Sequence, residues 1–226
     1  MEAEPRRTPI RERFREQVRD DVKTIALEQL ADGGAQAISL NAIAKELGVS
    51  GPALYRYFAN RDELLSSLVV DAYSDLRDAL ARPVGAGERR AEERGAGENA
   101  RIRRLARAYR VWAQEQPHRY ELLFKPPLPG YDAHSTQISE AGRSLMGVVL
   151  GVIDGGSDAT TSPLDSAEVL HARSTGAPNF QLAVRVWSRL HGFVSLELGG
   201  AYNAMSVDAD ALFDAEIDVL TDGGEL

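Results

Sequence analysis

The sequence predicts an all-α fold in which an N-terminal three-helix helix-turn-helix domain precedes a larger helical domain. Apolar residues recur every three or four positions through most of the 226 residues, the period of a helix with one buried face. No run alternates apolar and polar residues with the β-branched enrichment of a strand. Glycine, proline or a short hydroxyl or amide residue punctuates nearly every periodic run where a helix would start or stop.

Taken in order, Phe14, Val18, Val22, Ile25, Ala26 and Leu30 give a first helix over about 10–31. The stretch "DGGA" stops it, with Gly33 or Gly34 free to adopt the left-handed cap. Ser39 caps a second helix, whose apolar face is Leu40, Ile43, Ala44 and Leu47, and Gly48 ends it. Ser50 is the next cap candidate, opening a short third helix in "GPALYRYF". Asn60 caps a fourth that buries Leu64, Leu65, Leu68, Val69, Ala72, Tyr73 and Leu76. Residues 81–99 hold Val84 as their one large apolar residue and read as a linker. Helices are expected again over 100–116, in "HRYELLF" and over 138–153, with a Pro-rich turn "KPPLPGYD" between the last two. Residues 154–178, rich in glycine and proline, read as a loop, and two final helices span about 179–201 and 208–220. The domain boundary is placed between 8–66 and 67–226.

Composition narrows the function classes. The absence of cysteine excludes disulfides and thiolate metal sites and fits a reducing cytoplasm. Apolar runs fall far short of the roughly 20 residues that span a bilayer, and the N-terminus is charged with no hydrophobic signal core, so no membrane partner is expected. The net charge of −8 is unevenly spread: residues 1–61 hold ten Lys and Arg against nine Asp and Glu, whereas 62–226 hold sixteen against twenty-five. An acidic body with a near-neutral, Arg-rich head is compatible with DNA, because phosphate contacts answer to local charge.

The richest constellation runs from Ser39 to Leu64. A helix, a Gly-Val-Ser turn and a second short helix make a helix-turn-helix, whose second helix enters a DNA major groove N-terminus first. Gly48 supplies the positive φ of the turn, and Val49 is expected to point back and pin the pair to the first helix. Proline costs little in a first helical turn, whose N–H groups lack internal partners anyway. Gly51 and Ala53 flank Pro52 with almost no side chain, so this edge can approach DNA closely, and its free N–H groups favour a phosphate.

"AISLNAIAKELGVSGPALYRYFANRDELL" resembles the DNA-binding domain of the tetracycline-repressor (TetR) family of bacterial transcriptional regulators. The likeness lies in a hydroxyl residue opening the second helix, Gly-Val-Ser in the turn, Tyr55, Tyr57 and Phe58, and the capped basic start at Asn60 and Arg61. It implies that Ser39, Tyr55, Tyr57 and Arg61 touch the phosphate backbone while Gly51 to Ala53 face the groove, Ser50 being counted with the DNA-binding residues. Side chains able to read bases are few, Asn41 and Arg56 being the nearest, so thymine methyl contacts or DNA shape would supply part of the specificity. Packing of Tyr57 against the first helix is the alternative to its phosphate contact. Arg6, Arg7, Arg11, Arg13 and Arg15 could reach a minor groove, but the interleaved Glu2, Glu4, Glu12 and Glu16 favour a solvated helical face.

Farther along, "AYRVWAQEQPHRYELLFKPPLPGYD" and "VWSRLHGFVSLELGGAYN" resemble the TetR subgroup whose effector domain carries a Trp-x-x-x-His-Gly pattern, here Trp187, His191 and Gly192. The resemblance implies a homodimer through the last two long helices and a C-terminal domain that binds a small effector. Leucines, valines and Phe193 spread around more than one face of the helix over 179–201, which calls for two buried sides. Tyr73, Tyr109, Trp112, Phe124, Met146, Trp187 and His191 are the candidates for lining the pocket, and their aromatic content points to a hydrophobic effector. His191 has no second histidine one turn away, so a hydrogen-bonded core or pocket role outweighs metal binding or catalysis. No catalytic triad, metal set, phosphate loop or cofactor motif is found, so a helical enzyme is the weaker reading. The expectation is a ligand-responsive repressor acting on a palindromic operator, an activator or a regulator answering to a protein partner being the alternatives.

Overall fold

The computed structural model describes residues 10–82, 97–125, 131–133, 135–154 and 166–221. Among them it holds eleven α-helices and no strand. These are α1 (Ile10–Gly33), α2 (Leu40–Glu46), α3 (Gly51–Leu54), α4 (Arg61–Leu80), α5 (Gly97–Glu115), α6 (Pro117–Phe124), α7 (Thr136–Asp154), α8 (Ser166–Thr175), α9 (Pro178–Leu198), α10 (Ala201–Ala204) and α11 (Ala209–Thr221), with a 3-10 turn at Ala35–Ala37. They fall into two compact units, 1–71 with 121–133, and 72–120 with 134–226. Of the expected linker, residues 83–96 lie outside the described residues, as do 126–130 of the Pro-rich turn and 155–165 of the expected loop.

The first unit is built on short-range signals. Ile38, Leu40, Ile43, Leu54, Phe58, Leu64 and Leu65 are buried with Val22, Ala26 and Leu30 of α1, so each helix turns its apolar face to one interior. Asn60 accepts from the Glu63 N–H at 2.8 Å, and the Glu63 carboxylate accepts from the Ala59 N–H at 2.6 Å, a reciprocal cap that starts α4. Arg19 of α1 lies 4.2 Å from the centre of the Phe58 ring and donates to the Tyr57 carbonyl, fastening the chain after α3 to α1. Lys23 pairs with Asp71 at 2.7 Å.

In the second unit α7 packs on α5, α8 and α9, and α5 packs on α9 and α11. Along α5 the buried residues Ile102, Leu105, Ala106, Tyr109, Trp112 and Ala113 follow the helical period. Three arginines on that helix answer three aspartates on α11: Arg103 with Asp218, Arg107 with Asp214, and Arg110 with Asp210. Phe193 of α9 meets Tyr202 at 4.8 Å and Phe213 at 5.0 Å between ring centres.

Three expectations need correction. Ser166–Thr175 is a helix, α8, inside the segment read as loop; its weak amphipathy and the Gly and Pro residues on either side hide it. The helix expected over 179–201 ends at Leu198, where Gly199 and Gly200 break it before the short α10. Residues 97–99, assigned to the linker, form the first turn of α5.

Candidate nucleic-acid interface and effector site

The turn between α2 and α3 is a complete Schellman motif. The Gly48 N–H donates to the Lys45 carbonyl at 3.2 Å and the Val49 N–H to the Ala44 carbonyl at 2.9 Å. Gly48 has φ of +67°, the left-handed conformation the motif demands. Val49 does not pin the helices to α1: it is 40 % exposed, whereas Ile38, Leu40, Ile43 and Leu54 are buried.

Ser39 sits before α2 and its hydroxyl oxygen accepts from the Ala42 N–H at 3.4 Å, while its own N–H donates to Gln29 at 2.9 Å. Ser50 occupies the matching place before α3 but makes no side-chain cap. Local geometry accounts for this: a cap would bond to the second or third helical residue, and here the second is Pro52, which has no N–H. The third, Ala53, already donates to the Ser50 carbonyl at 2.9 Å. The exposed Ser50 hydroxyl is thus left unused by the cap.

Only Gly51–Leu54 is helical in "GPALYRYF", the following residues forming turns. A Cβ on Gly51 would lie 3.6 Å from Oδ1 of Asn41, so the starts of α2 and α3 share one edge. Of the expected contact residues, Ser39, Asn41, Ser50, Pro52, Tyr55 and Arg56 are exposed, with Tyr55 at 47 %, and Gly51, Ala53, Tyr57 and Arg61 are half-buried. Arg61 donates to the Ala35 carbonyl, which commits one of its nitrogens to holding the 3-10 turn, and its Nε is buried without a partner. Residues 11–17 of α1, among them Arg11, Arg13 and Arg15, are exposed throughout; Arg6 and Arg7 lie outside the described residues.

Of the expected pocket residues, the second unit brings Tyr109 against His191 and Trp187. Nδ1 of His191 lies 3.0 Å from the Tyr120 hydroxyl and 3.3 Å from that of Tyr109. Burial lowers the pKa of this imidazole below its ordinary 6.5. Burial, and then the neighbouring Tyr120, push the Tyr109 hydroxyl far above its ordinary value and keep it protonated. Trp187 meets Tyr109 edge-on at 5.1 Å, and the Tyr73 ring lies 3.8 Å from where a Cβ on Gly142 would stand. Trp112 is tied differently: its indole donates to Asp75 at 3.0 Å, and Arg119 joins the same carboxylate at 2.8 Å. Met146 is half-buried on α7. Phe124 belongs to the first unit. Sequence reasoning passed over Tyr120, whose partners lie 71 residues away on another helix; its place on the buried face of "HRYELLF" was the available signal.

Among the described residues no helix is long and apolar enough to cross a membrane, and no group of three or more His, Asp or Glu could hold a metal ion. A two-helix reading head on a small bundle, followed by a larger helical unit, defines a helix-turn-helix transcriptional regulator. The chain belongs to the TetR family. Residues 24–68 match the family described as bacterial regulatory proteins, tetR family, and 102–220 match the tetracyclin repressor-like C-terminal domain. The HTH-type transcriptional regulator Rv1816 of Mycobacterium tuberculosis (strain ATCC 25618 / H37Rv) is 33 % identical over 220 residues, covering 91 % of this chain and 92 % of the relative. A crystal structure of a regulatory protein, SCO4313, is 41 % identical, with a TM-score of 0.69 over 94 % of this chain and 98 % of the other. A TetR variant of Acinetobacter baumannii AYE in complex with minocycline shares the fold, with a TM-score of 0.51 at 16 % identity over 89 % of this chain and 93 % of that one.

Proposed function

We propose that the protein is a ligand-responsive repressor that binds a palindromic operator as a homodimer. The observation that carries this reading is the edge shared by α2 and α3, which is exposed, free of bulky side chains at Gly51 to Ala53, and lined with hydroxyls. Ser39, Ser50, Tyr55 and Tyr57 take the phosphate contacts that set position, and Asn41 and Arg56 the base edges that set sequence. Arg61 joins the phosphate contacts, one of its nitrogens meanwhile holding the Ala35 carbonyl.

Dimerisation runs through about 179–201 and 208–220, corresponding to α9 and α11. Val184 and Leu196 on α9 are 40 % and 51 % exposed, and Val219 on α11 is exposed as well, which supports a covered face there. The reading part, about 8–66, and the effector part, about 67–226, meet within α4. The second is of the Trp-x-x-x-His-Gly type, a reading supported by His191 Nδ1 beside the Tyr109 and Tyr120 hydroxyls and by Trp187 edge-on to the Tyr109 ring. A small hydrophobic effector among Tyr73, Tyr109, Met146 and Trp187 would bias α4 and so the spacing of two reading heads, provided it prefers one conformation of the dimer.

The test is a gel-shift titration with DNA flanking the protein's own gene, alongside light scattering. A dimer with salt-sensitive, sequence-dependent binding is expected. Binding indifferent to sequence at every flanking site would sink the proposal.

A further inference from the structure

We infer that the effector is an organic carboxylate with an apolar body, and that Arg143 of α7 holds its charged end. This rests on the reading of the second unit as an effector domain. Arg143 is half-buried, and its Nε is buried with no hydrogen-bond partner. Other arginines of the same unit are not left so. The Nε of Arg101 donates to the Val152 carbonyl at 2.9 Å and that of Arg110 to Glu197 at 2.9 Å, while Arg119 reaches Asp75 at 2.8 Å. A charged donor taken out of water without an acceptor is costly, and such a group in a folded protein calls for a partner.

The surroundings narrow that partner's chemistry. Arg143 stands on a helix with a continuous buried run, Gly147 to Ile153. Met146, Gly147 and Leu150, at three, four and seven positions beyond it, share its side of α7. The preceding residue, Gly142, faces the Tyr73 ring. A guanidinium offers a planar fork that a carboxylate matches with two parallel hydrogen bonds. The apolar side chains along the helix favour one negative charge over a phosphate dianion, whose desolvation is far costlier. Half-buried Met146, one turn from Arg143, gives the rest of the molecule an apolar surface to lie against. An ester of the same acid keeps the apolar body and loses the charge, and so isolates the contribution of Arg143.

The experiment follows the thermal melting of the full-length protein with octanoate, decanoate, phenylacetate and cinnamate, each paired with its methyl ester. At least one acid is expected to raise the melting temperature and to bind at least tenfold more tightly than its ester. Arg143→Gln should abolish that preference and Arg143→Lys should retain part of it, with circular dichroism reporting whether each variant keeps its helix content. If Arg143→Gln does not fold, the comparison of acid with ester on the wild-type protein and on Arg143→Lys decides. The inference is overturned if no acid of the set shifts the wild-type melting, if esters match their acids, or if a folded Arg143→Gln keeps the preference. Because melting is read without DNA, failure of operator binding would sink the repressor reading and leave this result standing.

Discussion

Arg110 of α5 and Glu197 of α9 form a forked ion pair, with Nε of the arginine 3.1 Å and 2.9 Å from the two carboxylate oxygens and Nη2 on one of them. Both side chains are largely buried, at 12 % and 14 % exposure. The same guanidinium lies 4.7 Å from the Phe213 ring centre, so one residue joins α5, α9 and α11. Arg110→Met leaves Glu197 with the Gln114 amide as its one remaining partner here, and should destabilise the protein by about 2–4 kcal/mol in denaturant titrations. Adding Glu197→Gln to that variant should recover part of the loss, since the stranded charge is then gone. A variant as stable as the wild type would show the pair to be incidental.

Acid should weaken the fold through His191. Burial depresses its pKa, so the folded protein resists a proton that the unfolded chain accepts near pH 6.5. The stability this group contributes is complete above that pH and is lost as the pH falls through the lower folded value, at up to about 1.4 kcal/mol per pH unit. Melting curves between pH 8 and pH 5 measure this slope, and His191→Asn should flatten it.

Gly48→Ala isolates the cost of backbone conformation. No atom lies within 4 Å of the added methyl group, so a left-handed alanine is the whole penalty, about 1–2 kcal/mol. Gly48→Asn should cost less, because asparagine tolerates that region better. Chemical denaturation of the three proteins gives the order directly.

Phosphate and base contacts separate by their dependence on sequence. Tyr55→Phe and Tyr57→Phe each remove one hydroxyl and should weaken operator binding by roughly 1 kcal/mol whichever base pair is changed. Asn41→Ala and Arg56→Ala should instead relax discrimination at single positions, by about 1–3 kcal/mol. Fluorescence anisotropy on a set of point-substituted operators reads both; a position-specific effect of Tyr55→Phe would remove it from the phosphate group.

The reading head was legible because its determinants are local. Ser39, Gly48 and Asn60 act within four residues of themselves, and their caps and positive φ are where the sequence placed them. Val49 was misjudged because its exposure depends on which other side chains fill the interior, and that is not encoded at its own position. The second unit was less legible for the same physical reason. Tyr120 meets His191 across 71 residues and Arg110 meets Glu197 across 87, and no periodicity encodes such pairings. Arg143 did leave a trace, a lone cation in the apolar stretch of α7, whose meaning rests on the finding that its Nε has no acceptor.

The arginine ladder between α5 and α11 repeats every four residues on the aspartate side, at Asp210, Asp214 and Asp218. Sliding α11 by one turn, about 5.4 Å, would hand two of the three arginines a new aspartate in place of the old. Charge alone therefore separates the two registers by a single ion pair. Phe213, lodged against Phe193 and under Arg110, is the detent that selects one notch.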